Sequence, residues 1–353
     1  MPNIVVAIPV RDEAERIGAC LEALASQRSR SGYEVLLLLN NCADDTESVV
    51  RALAPRLPIR ITATTVTFPP EVASAGEARR LAMSLAAERA GPDSILMTTD
   101  ADGRVAPDWV AANLAAIAQG AEAVAGRALI DPVEALAIPA HLHADDAVEC
   151  TFAARLDEID ALVDPDPADP WPRHDEACGA SLAVAVSAYR RAGGVPAVAL
   201  GEDRAFVAGL RRVDAAIRHA PEITVVVSGR LEGRARGGMA DTMKRRITQQ
   251  DAWVDDRLEP ARDRFRRARL RARYRAARRG ADSAAAVARE LRITPEALRA
   301  CLADPFAGTG WERVESKSPV LQRARVIRAG LGQEIGRADA ILARLRMREE
   351  AAD

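Results

Sequence analysis

Two carboxylates spaced i, i+2, Asp100 and Asp102, end the apolar run Ser94-Ile95-Leu96-Met97-Thr98-Thr99, with only Ala101 between them. Paired carboxylates at that spacing suit a hard divalent cation, which takes oxygens from one or two side chains and completes its shell with substrate phosphates. Standing alone, an Asp-x-Asp more often turns the chain and caps the next helix, here from Asp108. The chemical reading therefore draws its force from the surroundings. A second acidic pair, Glu202-Asp203, follows Gly201 at the start of a helical stretch. There a carboxylate either matches the helix dipole or takes a proton from a hydroxyl as a general base. A calcium EF-hand is excluded, because Gly103 comes too early and Arg104 occupies a position that needs an oxygen.

The elements that must position these residues alternate regularly. Strands are expected over Asn3–Val10, Tyr33–Leu39, Ile59–Val66, the run ending at Asp100, and Glu122–Ala128. Between them, helices are expected from Ala14 (apolar at Ile17, Cys20, Leu21 and Leu24), over Glu47–Ala54, Glu77–Arg89 and Asp108–Gln119. This alternation predicts an α/β fold, a wound and mostly parallel sheet with helices on both faces. In such sheets ligands bind at the carboxyl ends of the strands, which is where Asp100 and Asp102 fall. After Ile130 the rhythm changes. The irregular, proline-rich region Asp131–Glu176 carries one helix, Asp145–Leu162. A strand over Gly179–Val186, short helices over Ser187–Ala192 and up to Leu210, and a strand over Ile223–Val227 follow. From Asp241 strand signals vanish and an Arg/Ala-rich helical extension is expected, with helix starts at Thr294-Pro295 and Ser318-Pro319 and a last helical stretch over Pro319–Met347. The expected division is thus 1–240, with halves 1–130 and 131–240, and an extension 241–353.

Composition narrows the function classes. Lys plus Arg is 49 against 51 for Asp plus Glu, a net charge of −2, which argues against a globally basic nucleic-acid binder. Aromatics at 3% argue against a base-stacking platform. The five cysteines lack C-x-x-C spacing, so reduced thiols are expected rather than zinc or a disulfide framework. Neither a signal peptide nor a membrane span is visible, and a soluble, cytoplasmic protein is the expectation.

Five motifs stand in a definite order: Ile8-Pro9-Val10-Arg11-Asp12-Glu13, Asn40-Asn41-Cys42-Ala43-Asp44-Asp45-Thr46, Gly76-Glu77-Ala78-Arg79-Arg80, Asp100-Ala101-Asp102 and Gly201-Glu202-Asp203. Together they resemble the family 2 glycosyltransferases, which have the GT-A fold, over roughly the first two-thirds of the chain. The resemblance implies a Mg2+ or Mn2+ ion on Asp102 and Asp100, holding the diphosphate of a nucleotide-sugar donor. It implies Asp203 as the base that deprotonates a hydroxyl acceptor, with Glu202 as the second choice, and inversion at the anomeric carbon. The turn from Pro9 to Glu13 would meet the nucleotide, with Glu13 as its hydrogen-bond acceptor; Asp12 and Glu13 could equally serve the helix dipole. Where the family usually carries an Asp pair this chain has Asn40 and Asn41, and an amide can still read a base edge. Asp44 and Asp45 read as caps. Arg79 and Arg230 are the candidate cations for the diphosphate, the latter in a cluster with Arg234 and Arg236 that reads equally as a basic loop.

Two alternatives remain beside this reading. A nucleotidyltransferase shares wound sheets and carboxylate-bound Mg2+, but usually needs a glycine-rich loop where this chain has Pro9-Val10-Arg11-Asp12-Glu13. A non-catalytic nucleotide-sugar binder or scaffold would work through the arginine-rich helices. The run Arg262–Arg279 reads first as a solvated helix with acidic partners such as Asp255, Asp256 and Glu259, and second as a peripheral membrane contact. The resemblance also allows His219 or His174 as a third metal ligand, but with four histidines in the chain and no spacing signal that is the minority reading for either.

Overall fold

A computed structural model describes residues 3–29, 31–234 and 237–351. The chain divides into two compact units, one of residues 1–138, 176–210 and 215–245, the other of 139–175, 211–214 and 246–353. In chain order the elements up to residue 135 are β1 (Ile4–Val10), α1 (Ile17–Ala25), β2 (Glu34–Asn40), α2 (Thr46–Leu53), β3 (Arg60–Val66), α3 (Ala75–Ala90), β4 (Ile95–Thr98), β5 (Arg104–Val105), α4 (Trp109–Ala118), β6 (Ala123–Ile130) and α5 (Pro132–Ala135). There follow α6 (Ala140–Val163), β7 (Leu182–Ala185), α7 (Val186–Arg191), α8 (Glu202–Arg212), β8 (Ile217–Val227) and α9 (Met239–Thr248). The chain ends with α10 (Ala261–Arg278), α11 (Ala284–Leu291), α12 (Pro295–Leu302), α13 (Ala307–Lys317) and α14 (Leu331–Glu350).

The first unit is built on one eight-stranded sheet, ordered β3-β2-β1-β4-β7-β6-β8-β5. Strands β3, β2, β1 and β4 run parallel, and β7 reverses direction between β4 and β6. Because side chains alternate along a strand, β1 feeds two cores. Ile4, Val6 and Ile8 pack with Ile17, Leu21 and Leu24 of α1 and Trp109 of α4, whereas Val5 and Ala7 pack with Ala82 and Met83 of α3 and Phe206 of α8. Each fully buried aliphatic side chain contributes about 1.5–3 kcal/mol, so these two layers fix which ends of β1 and β4 point to solvent. The wound, mostly parallel sheet with helices on both faces is therefore as the alternation predicted. Two strands extend it: β8 starts at Ile217 rather than Ile223, and the two-residue β5 pairs antiparallel with β8.

Helix α1 begins three residues later than its apolar periodicity suggests. Glu13 donates its backbone N–H to Thr46 Oγ1 at 2.8 Å, and Asp12 takes a left-handed φ of 51°. These hold residues 11–15 as a turn facing the end of the sheet.

The second unit is helical. Residues 139–175, expected as an irregular part of 131–240, are mostly the 24-residue α6. Its Phe152, Leu156 and Ile159 pack with Leu258, Leu331 and Leu342, which is why this segment joins the C-terminal helices. A second core gathers Leu270 and Tyr274 of α10 with Leu291, Leu298 and Trp311. Thr294 caps α12 as predicted, accepting from Ala297 N at 3.1 Å. Ser318 does not start an α-helix; its hydroxyl donates to Leu291 O at 2.7 Å, two short 3₁₀ turns follow at Pro319–Leu321 and Arg328–Gly330, and α14 begins at Leu331.

Several arginines of α10 form ion pairs within the unit. Arg264 reaches Asp160 at 3.0 Å, Arg267 reaches Glu259 at 2.9 Å, and Arg271, Arg273 and Arg275 pair with Asp164, Asp282 and Asp164. The ion pairing is as expected, with Glu259 a partner, but α10 is not simply a solvated helix, because Arg264, Arg267, Leu270 and Tyr274 are buried and Asp255 pairs with Arg257 instead. Among the described residues no helix is long and apolar enough to cross a membrane.

Candidate active site

β4 ends at Thr98, and the turn that follows carries Asp100 and Asp102 beyond the carboxyl end of the sheet. β1, its parallel neighbour, delivers Glu13 to the same end. The structure brings these acids together with Glu202 around two guanidinium groups, those of Arg79 and Arg230.

Arg230 forms a forked pair with Glu13, its Nη1 2.7 Å from Oε2 and its Nη2 bonded to Oε1. Its Nη2 also lies 3.3 Å from Asp102 Oδ2. The loop carrying Arg230 is seated by Glu134, which accepts from Ser228 Oγ at 2.8 Å and Gly229 N at 2.7 Å, and from Arg16 Nη1 at 2.6 Å. Asp131 supports this arm by capping α5 through Val133 N and Glu134 N. Arg234 donates Nε to Asp12 O at 2.9 Å, while Arg236 lies outside the described residues.

Arg79 stands on the first turns of α3, whose N-cap is Ser74. Its guanidinium points into the protein rather than out toward a diphosphate. Nε donates to Glu202 Oε1 at 3.0 Å, Nη1 to Thr98 Oγ1 at 2.8 Å and Gly179 O at 2.9 Å, and Nη2 to Asp100 Oδ1 at 2.6 Å. Burial opposes its charge, but the carboxylates of Asp100 and Glu202 outweigh burial and hold it protonated above arginine's ordinary range. Gly76 lets α3 come this close: a Cβ there would fall 2.1 Å from Val198 O.

Asp203, one residue past Glu202, accepts from Gly179 N at 2.9 Å through Oδ2. Gly179 therefore serves both motifs, its carbonyl on Arg79 and its N–H on Asp203. Of the two acids at the start of α8, Glu202 is buried against Arg79 and Asp203 is half-buried.

The asparagines are placed differently from a base-reading pair. Asn40 is buried and donates Nδ2 to Val10 O at 2.8 Å. Asn41 donates to Phe68 O at 2.9 Å and accepts from Phe68 N at 3.1 Å. Both amides tie the ends of β1, β2 and β3 together. Asp44 accepts from Thr46 N and Ala14 N, each at 3.0 Å, whereas Asp45, at the N-cap position of α2, makes no side-chain cap bond, contrary to expectation. Pro9 lies within β1 opposite Leu38, and His219 is buried in β8 opposite Ala125. His174 belongs to the second unit. The sequence offered no pointer to Thr98, Glu134 or Gly179 as site supports, because each is identified only by a partner distant in the chain.

Four carboxylates (Glu13, Asp100, Asp102, Glu202) thus face two guanidiniums, leaving two negative charges. Arg16, which also faces Asp102, is already spent on Glu134. The consequence shows at Asp102. Burial, then the Asp100 charge, pushes its carboxyl up to about 6, with Arg230 opposing and Glu13 adding to the rise. A carboxylate pair short of two positive charges fits a divalent cation by charge and by donor chemistry. Among the described residues no group of three His, Cys, Asp or Glu side chains could hold a metal. Beside this cluster a cavity of about 520 Å³ opens, lined by Asp12, Glu13, Arg16, Asp44, Arg230 and Arg234.

A wound sheet with an acidic pair at the end of its β4 strand and a second acidic helix start beside it has the arrangement of a GT-A fold. Residues 5–162, a little under half of the chain, match the model of Glycosyl transferase family 2. No curated protein matches the chain. Among solved structures it is similar to mannosyltransferase PcManGT from Pyrobaculum calidifontis in complex with GDP-Man and Mn2+, at 18% identity over 98% of this chain and 86% of that one, with a TM-score of 0.48. S. aureus TarS 1–349 in complex with UDP is similar at 12% identity over 89% and 90%, TM-score 0.46. Glucosyl-3-phosphoglycerate synthase from Mycobacterium tuberculosis is similar at 15% identity over 70% and 77%, TM-score 0.38.

Proposed function

We propose that the protein transfers a sugar from a nucleotide-diphosphate-sugar to a hydroxyl acceptor, in a reaction dependent on Mg2+ or Mn2+ and inverting at the anomeric carbon. The observation that carries this reading is the excess of carboxylates over guanidiniums around Asp100 and Asp102 at the end of β4, with Arg230 in reach of Asp102 and an open cavity beside them. In our reading Asp102 and Asp100 hold the cation together with oxygens of the donor diphosphate. When bound, that cation would stabilise the charge that builds on the leaving diphosphate. The cavity lined by Asp12, Arg16 and Asp44 takes the nucleoside part, and Arg230 and Arg234 supply cations beside it.

Asp203 is assigned as the base. Its Oδ2 is oriented by the Gly179 N–H at 2.9 Å, and the half-buried carboxylate takes the proton from the acceptor hydroxyl as that oxygen attacks. Direct attack with one base inverts the anomeric configuration. Glu202 is withheld from this role by its pairing with Arg79 at 3.0 Å.

The test is a panel of UDP- and GDP-sugars with Mn2+, read by thermal stabilisation and by slow donor hydrolysis, with Asp203→Asn beside the wild type. An asparagine oxygen can still accept from Gly179 N, so the fold and donor binding should persist while turnover with an acceptor falls by roughly 10²–10⁴-fold. Unchanged turnover removes Asp203 as base, and absence of stabilisation by every donor removes the nucleotide-sugar reading.

A further inference from the structure

One side chain touches both acidic motifs. Arg79 binds Asp100 on the proposed cation side and Glu202 on the proposed acceptor side, with Thr98 Oγ1 and the Gly179 carbonyl on its Nη1. We propose that Arg79 is a positioning residue that couples the two halves of the centre, so that the charge on Glu202 is felt at the cation site through one guanidinium. The proposal rests on the functional reading above.

Three features support it. The guanidinium is enclosed, with only 6% of the side chain exposed, so it is not available to bind a diphosphate directly. Its partners lie on separate elements: Thr98 ends β4, Asp100 sits on the turn after it, Gly179 precedes β7, and Glu202 starts α8. The packing around it leaves no slack, since a Cβ on Gly179 would lie 2.6 Å from its Cζ. A planar guanidinium can hold these acceptors in one geometry, whereas the point charge of a lysine ammonium has no fixed fork. Because Asp100 and Glu202 share one positive charge, neutralising Glu202 turns more of that charge onto Asp100. That weakens the pull of the Asp100–Asp102 pair on a cation. Glu202 then sets the strength of a site to which it contributes no oxygen.

Mn2+ titrated into the full-length chain, followed by loss of the free-ion EPR signal, reads the cation site without turnover. Glu202→Gln keeps an acceptor for Arg79 Nε and should weaken Mn2+ binding at least about three-fold, as expected for neighbours in one network. In the Arg79→Met background the same substitution should change Mn2+ affinity by less than about two-fold, the range of independent sites. Arg79→Lys keeps the charge without the fork and should lose the coupling as Arg79→Met does. It also carries the test if the methionine variant fails to fold, which thermal unfolding reports. An equal weakening by Glu202→Gln in both backgrounds means that the charges act through space, and it overturns the proposal. Unchanged Mn2+ binding by Glu202→Gln in the otherwise wild-type chain overturns it too, while leaving the cation reading intact. A wild-type chain that takes up no Mn2+ overturns both.

Discussion

Gly179→Ala tests the geometry of the centre with the smallest possible perturbation. The backbone at Gly179 is not in the left-handed region, so alanine fits its φ, and what matters is space. A Cβ there would stand 2.6 Å from Arg79 Cζ and Nη2 and 2.8 Å from Nε. Carbon atoms rest about 3.5–4.0 Å apart, so the guanidinium must retreat by about 1 Å. It cannot do so freely, because four hydrogen bonds of 2.6 to 3.0 Å hold it on different elements. A shift of that size takes most of them beyond bonding distance. Overpacking alone costs about 1–3 kcal/mol, and hydrogen bonds to a charged group are worth about 1.5–3 kcal/mol each, with relaxation recovering part. A net loss of about 3 kcal/mol follows, or a fall in Tm of roughly 6–12 °C for a unit of this size. Differential scanning fluorimetry reads it directly. Gly32→Ala is the control, since nothing lies within 4 Å of a Cβ there, and it should move Tm by less than about 2 °C. If Gly179→Ala matches that control, the guanidinium is not seated against residue 179 and the joint between the two acidic motifs is wrong.

Two further substitutions probe the supports. Asn41 holds Phe68 through both amide atoms and has a φ of 47°, so Asn41→Ala should lose two hydrogen bonds and meet left-handed strain, about 2–3 kcal/mol in urea denaturation. Asn41→Gly loses the bonds without the strain and should sit between alanine and wild type; equal losses would refute the strain component. In the helical unit, burial first, then Asp175 and Asp160, raise the Asp157 carboxyl well above its ordinary range, with Arg264 opposing from 3.6 Å. An acid with a raised folded pKa contributes its full stability below the unfolded value, about 4, and loses it as pH rises toward the folded value. Asp157→Asn does not titrate, so it should raise the urea midpoint at pH 7.5, with the gain shrinking toward pH 4. A lower midpoint at pH 7.5 would show that Asp157 is needed there as a charge.

The GT-A scaffold was legible because its signals are local. Apolar runs such as Val35 to Leu39, buried on both faces, and the amphipathic Ile17, Cys20, Leu21 and Leu24 carry their periodicity in consecutive residues. Where a signal depends on a competing partner, local reading failed. Ser318-Pro319 has the residues of a helix start, but the serine hydroxyl is taken by Leu291 O, 27 positions away. The stretch 139–175 looked like an appendage of the sheet because its prolines suggest loops, yet the apolar face of α6 packs with C-terminal helices.

The same division runs through the candidate site. Sequence alone determined which acids stand at strand ends and helix starts, since Asp100, Asp102, Glu202 and Asp203 owe those places to the elements beside them. Only the tertiary structure decided which way the charged and amide groups turn. Arg79 and Arg230 have matching residue type, but the first is turned inward between Asp100 and Glu202, and the second is forked onto Glu13, 217 positions away. A guanidinium chooses among carboxylates by distance and burial, and a linear sequence specifies neither until the sheet has brought its strand ends together.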